Sequence, residues 1–594
     1  MTKVKMNKNI FDIIGSKKHP VIFIFLLSLV VRFIILIPVI KSNTPLEFDE
    51  RAYYKAAVGF HSILRDLVHF ESPQAADKEK AYGKGVWPPF QSILLALGFF
   101  LFGKSIVAAR IIMVLISAMT TPLVFLLTTK LSNKASGVAA SLLHLFYPSF
   151  LAFSHYLWSE TLFIFLLLLA VYLVVVVAEA ENPRKRVWLS IFLGVLLGLL
   201  VLTRAAALFM LAIFLLWIFL KLKNTPARIY IPVIIIITLF FTIFPWEYTL
   251  VVNEKRFVLF SNFTYRNLYV GNNQWNRYGR EIDQDLQNNR ERNTLRNYAK
   301  EKSIHLEQAA RELALKEITS NPGAFVIRSF NEFLLLWTFD FFPLRHIFNV
   351  VYPPMTNIFV LFVFFIFVIG TIFLYLLIIK GFFIKEPRIK NKFLILALVV
   401  AGVLPYILAY GHTRYNLPQV ALLLPIAGLG LANFRKKTLM SPKLAIIAGL
   451  CLCTLFFYTY NQYIFKIVRP SSYYQGSINL LDSIFKTGST LKDTIIFRSN
   501  DPAYTDLLTL TIPDKHNYSF DIEKKSKRRQ IRLRKDRTKK VIIFSKHPTE
   551  SLLLTIHSKR QNKAVRLKPI SRKYWNKFLA LEMESIELKW KGGR

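Results

Sequence analysis

The sequence predicts a polytopic α-helical membrane protein of about 11 transmembrane helices, followed by a β-rich carboxyl-terminal domain on the extracytoplasmic side. Three observations predict it. Of the 594 residues 53% are hydrophobic, only slightly above the globular norm, so their distribution decides the class. They gather into runs such as LFIFLLLLAVYLVVVV, IPVIIIITLFFTIF and FLILALVVAGVLPYILAY, which approach the roughly 20 residues needed to cross ~30 Å of hydrocarbon as helix. The connectors between runs are short and rich in Lys and Arg, and beyond residue 462 the apolar runs give way to short alternating segments.

The chain opens with a basic flank before a retained span, because the first apolar run is too long for a signal peptide and lacks a small-residue cleavage site. Spans are expected near 20–40, 105–129, 136–153, 160–178, 187–203, 205–221, 229–247, 355–379, 393–410, 417–433 and 444–462. The basic connectors 130–134, 183–186, 221–228, 380–392 and 434–443 face the cytoplasm by the positive-inside rule. In an inner or plasma membrane the amino terminus is then inside and the carboxyl terminus outside. PPFQSILLALGFFLFG, 88–103, is too short to span and reads as a helix lying on the outer surface or re-entering it. A membrane module, 1–462, with outer loops at about 41–104 and 248–352, thus precedes a domain at 463–594.

In that last domain LLTLTI, YSFDI, QIRLR, KVIIF and SLLLTIH have strand character and suggest an antiparallel sandwich. Its densest basic run, 524–540, is either a solvated strand face or a contact for anionic lipid head groups or an anionic acceptor. An extracytoplasmic location argues against nucleic acid. Cys451 and Cys453 lie two residues apart on a presumed helix, where they neither bridge each other nor make a metal site alone. His61, His69, His155 and His412 lack metal-ligand spacing, so no metal or cofactor is expected.

The charged residues of interest fall at one level. Asp49, Glu50 and Arg51 follow the first span; Lys84 precedes WPPF; His155 and Glu160 lie between the third and fourth spans, Arg204 between the fifth and sixth, and Arg414 between the ninth and tenth. Single cations there read equally as snorkelling anchors, whereas Asp49 and Glu50, beside Tyr53 and Tyr54, are too short to snorkel far. A sugar on a polyprenyl phosphate has its tail in the bilayer, its phosphate at the interface and its sugar in water, and such a donor matches acids and cations at this level. Transfer needs a base for the acceptor proton, and an Asp with the usual pKa near 3.9 is ionised at neutral pH. The phosphate leaves as an anion without a general acid, so one carboxylate plus cations suffices, and single displacement inverts the anomeric centre.

The order EFDERAYYKAA, GKGVWPPFQSILLALGFFLFG, SHYLWSETLF, GVLLGLLVLTRAA, FPWEYTLVVN, NLYVGNN and HTRYNLP resembles the GT-C superfamily of membrane glycosyltransferases, of the protein O-mannosyltransferase and lipid A aminoarabinose transferase type, over roughly residues 20–435. The resemblance implies a polyprenyl-phosphate sugar donor, an aspartate base in the first outer loop, and inverting transfer to an extracytoplasmic acceptor such as lipid A, a surface glycan or a protein. Carried across, Asp49 is the base with Glu50 as the alternative, and Glu160 binds or orients the acceptor. Arg51, Lys84, Arg204 and Arg414 are assigned to the donor phosphate; Tyr53, His155, Asn272, Asn273 and Tyr415 to the sugar or acceptor. The chain departs from the pattern at Thr249, where relatives often carry Arg, and at Ala205, where they often carry Pro.

A transporter or flippase for a lipid-linked glycan is the rival from another class; it calls for ionisable groups near the bilayer midplane, where this sequence is expected to be apolar. A diphosphate-donor polymerase or ligase, and a catalytically inactive binding homologue, keep the architecture and change the chemistry.

Overall fold

The computed structural model describes residues 18–41, 46, 49–82, 87–254, 264–273, 284–338, 357–384, 389–411 and 413–434, with Phe11, Gly15 and backbone strands between 474 and 590. The chain forms two compact units, Met1–Leu344 with Asn357–Phe456, and Arg345–Thr356 with Phe457–Arg594.

The first unit is helical. After α1 (Pro20–Lys41), the segment expected as an outer loop holds α2 (Asp49–Val68), α3 (Ala75–Tyr82) and α4 (Phe90–Phe102). The α2 helix lies in a segment expected as loop; Tyr53, Ala57, Phe60 and Ile63, all buried, recur on it at helical spacing. Next come α5 (Ile106–Leu131), α6 (Lys134–Phe146), α7 (Pro148–Phe153), α8 (Ser159–Glu179) and α9 (Pro183–Val201). Side-chain caps start several of these: Ser105 accepts from Ala108 N–H at α5, Asn133 from Ser136 N–H at α6, and Asn182 from Lys185 N–H at α9, satisfying donors a helix start leaves over. The expected span 136–153 is broken at Tyr147, extended at φ −66°, ψ 123°, because the following Pro148 disfavours helical geometry there.

The remainder is α10 (Leu208–Lys221), α11 (Ala227–Glu254), α12 (Thr264–Gly271), α13 (Gln284–Glu301), α14 (Leu306–Ser320), α15 (Pro322–Leu336), α16 (Asn357–Phe382), α17 (Lys392–Leu408) and α18 (Leu417–Ala432). Helices therefore occupy ten of the expected spans, while 444–462 lies outside the described residues. By length and composition six helices among the described residues suffice to cross a membrane, fewer than the sequence reading expected; α4, residues 205–221 and α17 are apolar but shorter. The chain is a multi-pass membrane protein.

In an apolar 18-residue stretch of the helices Ile106–Leu131, Ser159–Glu179 and Thr413–Ala432, 78%, 72% and 83% of residues are buried, against 22% in Pro20–Lys41 and Ala227–Asn253. The former make the centre and the latter its rim. The rim is not apolar throughout. Arg32, midway along α1, is fully buried; its Nε donates to Ser117 Oγ at 2.6 Å, Nη1 to Ser28 Oγ at 2.5 Å, and Nη2 meets His144 Nδ1 at 3.3 Å. Thr121 Oγ1 joins Ser28 Oγ at 2.7 Å and His144 Nδ1 at 2.9 Å. This corrects the expectation of apolar mid-span residues: α1, α5 and α6 are tied by a polar knot of the kind that hydrogen-bonds membrane helices together.

The second unit is described as strands. One sheet has the order β1 (Tyr474–Gln475), β2 (Asp506–Leu510), β5 (Lys539–Ile543), and the other β4 (Lys527–Leu533), β3 (Tyr518–Lys524), β6 (Leu552–His557), β7 (Asn562–Leu567), β8 (Lys589–Trp590). Pairing is antiparallel except between β1 and β2. The basic run supplies β4, whose register sets Glu523 opposite Arg528.

Candidate active site

Four elements deliver ionic side chains to one point of the helical unit. Asp49 sits in the first turn of α2 and Glu160 in the first turn of α8, where the positive helix end favours a carboxylate. Arg204 follows the last residues of α9, and Arg414 lies in the 3-10 turn Thr413–Asn416 that leads into α18. Arg414 Nη2 bonds Asp49 Oδ2 at 2.8 Å. Its Nε lies 3.5 Å from Glu160 Oε1, on which Arg204 Nη1 also converges at 3.0 Å. The result is a chain of alternating charge, Asp49–Arg414–Glu160–Arg204, built from residues 365 apart in sequence at its widest pair.

Aromatic faces enclose the cations. Arg414 Cζ lies 4.7 Å from the Trp158 ring centroid and 5.2 Å from that of Tyr415; Arg204 Cζ lies 5.0 Å from Tyr415 and 5.9 Å from Phe163. Tyr415 stacks on Tyr406 at 4.6 Å and 21°. Such faces attract guanidinium charge while excluding water. Trp158 and Tyr406 escaped the sequence reading; the position of Trp158 immediately before the acid-bearing helix start was the signal available for it.

The two acids differ in access. The Glu160 side chain is 3% exposed and that of Asp49 26%. Glu160 has both arginines on a single oxygen, an arrangement that anchors them. Asp49 remains reachable. Tyr53 is buried beside it with its ring 6.0 Å from Trp87; burial first, and then the Asp49 charge, push its phenol well above the ordinary range, so it stays neutral.

Other predicted residues stand apart. Glu50, one position and about 100° of helix from Asp49, is buried and accepts from Leu157 N–H at 3.0 Å, which braces the start of α8. Arg51 is exposed and donates through Nε to the Leu46 carbonyl at 2.7 Å. His155 is buried against Tyr156; desolvation and neighbouring Arg110 lower its pKa to about 3, so its imidazole is neutral at physiological pH. Asn272 Nδ2 donates to the Leu268 and Leu408 carbonyls, and Asn273 Nδ2 to Glu291 Oε1 at 2.7 Å, contacts that build the loop. Lys84 and His412 lie outside the described residues. No cluster of three or more potential metal ligands occurs among the described residues.

Residues 86–247 match the model of the dolichyl-phosphate-mannose-protein mannosyltransferase family. That family is of the GT-C kind, and the match supports the resemblance to GT-C membrane glycosyltransferases read from the sequence. No curated protein matches the chain. Among solved structures the chain is similar to ArnT from Cupriavidus metallidurans bound to undecaprenyl phosphate, with a TM-score of 0.42 and 13% identity over 76% of this chain and 66% of that one. It is also similar to the Archaeoglobus fulgidus oligosaccharyltransferase tethered with an acceptor peptide, with a TM-score of 0.37 and 13% identity over 75% of this chain and 55% of that one. The chain thus spans just under two thirds of the first protein and about half of the second.

Proposed function

We propose that this chain is a membrane glycosyltransferase that moves a sugar from a polyprenyl-phosphate donor to an extracytoplasmic acceptor by a single inverting displacement. The observation that carries the reading is the reachable Asp49 carboxylate held 2.8 Å from Arg414, with Arg204 and Arg414 both anchored on buried Glu160. Asp49 takes the proton of the acceptor hydroxyl or amine as that atom attacks the anomeric carbon. The bond from that carbon to the phosphate oxygen breaks, and polyprenyl phosphate leaves with the electron pair. Arg204 and Arg414, each with five N–H donors of which one carboxylate uses at most two, oppose the negative charge that grows on the leaving phosphate. Lys84 would add a third cation, and the edge of the Tyr415 ring would border the sugar. The acceptor classes that fit are lipid A, a surface glycan or a protein, reached on the side opposite the cytoplasm.

The direct test uses the purified full chain in a bilayer with a polyprenyl-monophosphate sugar and, in turn, a lipid A, glycan or protein acceptor. Release of polyprenyl phosphate that depends on Asp49 supports the reading; equal release from Asp49→Asn refutes it. The Arg32 knot is the feature a transporter reading would cite. Its guanidinium is fully buried and engaged by Ser28, Ser117 and His144, which suits a helix fastener better than a passage.

A further inference from the structure

One face of α15 runs alongside the segment that carries Arg414. Arg328, Glu332 and Leu336 are spaced four apart and all buried, hence stacked on a single stripe of the helix. Each reaches a successive part of residues 407–416. Arg328 Nη1 donates to the Ala409 carbonyl at 3.0 Å, and its Nη2 to those of Leu408 at 2.9 Å and Ile407 at 3.3 Å. Glu332 Oε2 accepts from Gly411 N–H at 3.0 Å. The Leu336 carbonyl accepts from Asn416 Nδ2.

The chemistry of these contacts follows from where α17 stops. A helix leaves its last carbonyls without backbone donors and concentrates partial negative charge there. Ile407 and Leu408 close α17 and Ala409 follows it, so a guanidinium with several donors satisfies them together, as a cation at a helix carboxyl end does in general. From the other side Asn272 Nδ2 also donates to the Leu408 carbonyl at 3.0 Å. Gly271 lies so near that a Cβ there would overlap the Ala409 carbonyl, which is why a glycine ends α12. Downstream of these fixed points the chain turns through Thr413–Asn416 and presents Arg414 to Asp49 and Glu160.

Resting on the transferase reading, we infer that Arg328 and Glu332 are positioning residues for Arg414, with α15 as a splint that fixes residues 407–411 and 413–416 and so sets the distance between Arg414 and the base. Neither residue touches the reacting atoms; both act through the backbone of the segment.

The test compares Arg328→Met, Arg328→Lys and Glu332→Gln with the parent in the full-length protein. Amide hydrogen exchange over 407–416 reads the splint without reference to activity: exchange rises about tenfold or more in Arg328→Met and Glu332→Gln, and less in Arg328→Lys, which keeps a cation for the carbonyls. Transfer from the polyprenyl-monophosphate sugar falls ~10–100-fold in kcat/KM, as expected of a displacement on the scale of an ångström. In an Arg414→Ala background Arg328→Met has no further effect on transfer, because the group it positions is already gone. Unchanged exchange over 407–416, or the same further loss of transfer in the Arg414→Ala background, overturns the inference. If Arg328→Met does not fold, Arg328→Lys and Glu332→Gln decide by the same criteria. Absence of transfer from the parent protein refutes the transferase reading, and the exchange measurement still decides whether the splint exists.

Discussion

Two buried arginine clusters occupy the same helical unit and differ in what surrounds them. Arg414 and Arg204 meet carboxylates, lie over aromatic rings and keep 12% and 13% of their side chains exposed. Arg32 meets hydroxyls, the Ser28 carbonyl and an imidazole and is fully enclosed. The first arrangement pairs opposite charges beside an accessible acid, which is costly to assemble and useful where charge develops during a reaction. The second spreads one cation over neutral acceptors of α1, α5 and α6 and has no accessible member, as befits a fastening.

The contrast predicts separable consequences. The largest effect is at Asp49: Asp49→Asn lowers transfer by ~10³–10⁴-fold, the scale of a lost general base, while gel filtration and thermal unfolding stay as in the parent. Equal transfer would erase the distinction between the clusters. Glu160→Gln leaves two guanidiniums without their shared carboxylate and costs roughly 3–5 kcal/mol of stability, with a fall in transfer of at least ~10²-fold. Its unfolding midpoint and rate are both affected, unlike those of Asp49→Asn. Arg32→Met shifts stability by about 1–3 kcal/mol and leaves kcat/KM within about twofold of the parent; a large loss of transfer with intact folding would make the knot functional.

At neutral pH the smallest effect is at His155. Its folded pKa of about 3 lies below the ~6.5 of an exposed imidazole, so the unfolded chain binds the proton first as pH falls. That residue's contribution is complete above the unfolded value and is lost progressively from about pH 6.5 toward pH 3. His155→Gln therefore makes stability less sensitive to acid in that window and leaves the pH dependence of transfer between pH 7 and 8 unchanged.

The sequence made the convergence of Asp49, Glu160, Arg204 and Arg414 legible because alternating spans return the chain to the same end of the bundle, whatever the helices' exact limits. It did not separate Asp49 from Glu50, since that depends on which side of α2 each occupies, and a segment read as loop has no sides. Arg32 was passed over because a single cation within an apolar run hardly changes the run's hydropathy; its partners Ser117 and His144 come from other helices. Arg328 and Glu332 were invisible for a related reason. Their partners are main-chain groups of a distant helix end, and carbonyls carry no residue-type signature. Tyr147 and Pro148 show the converse: the break between α6 and α7 was written in a local dipeptide, yet the length of the apolar run concealed it.

The pairing of Asp49 with Arg414 joins residues 365 positions apart. At ordinary synthesis rates of 5–20 residues per second, about 20–70 s separate the emergence of the two. Throughout that interval the nascent protein carries its acid without the guanidinium that pairs with it. A ribosome that stops before codon 414 releases a chain with many membrane helices and an aspartate still waiting for its counterion.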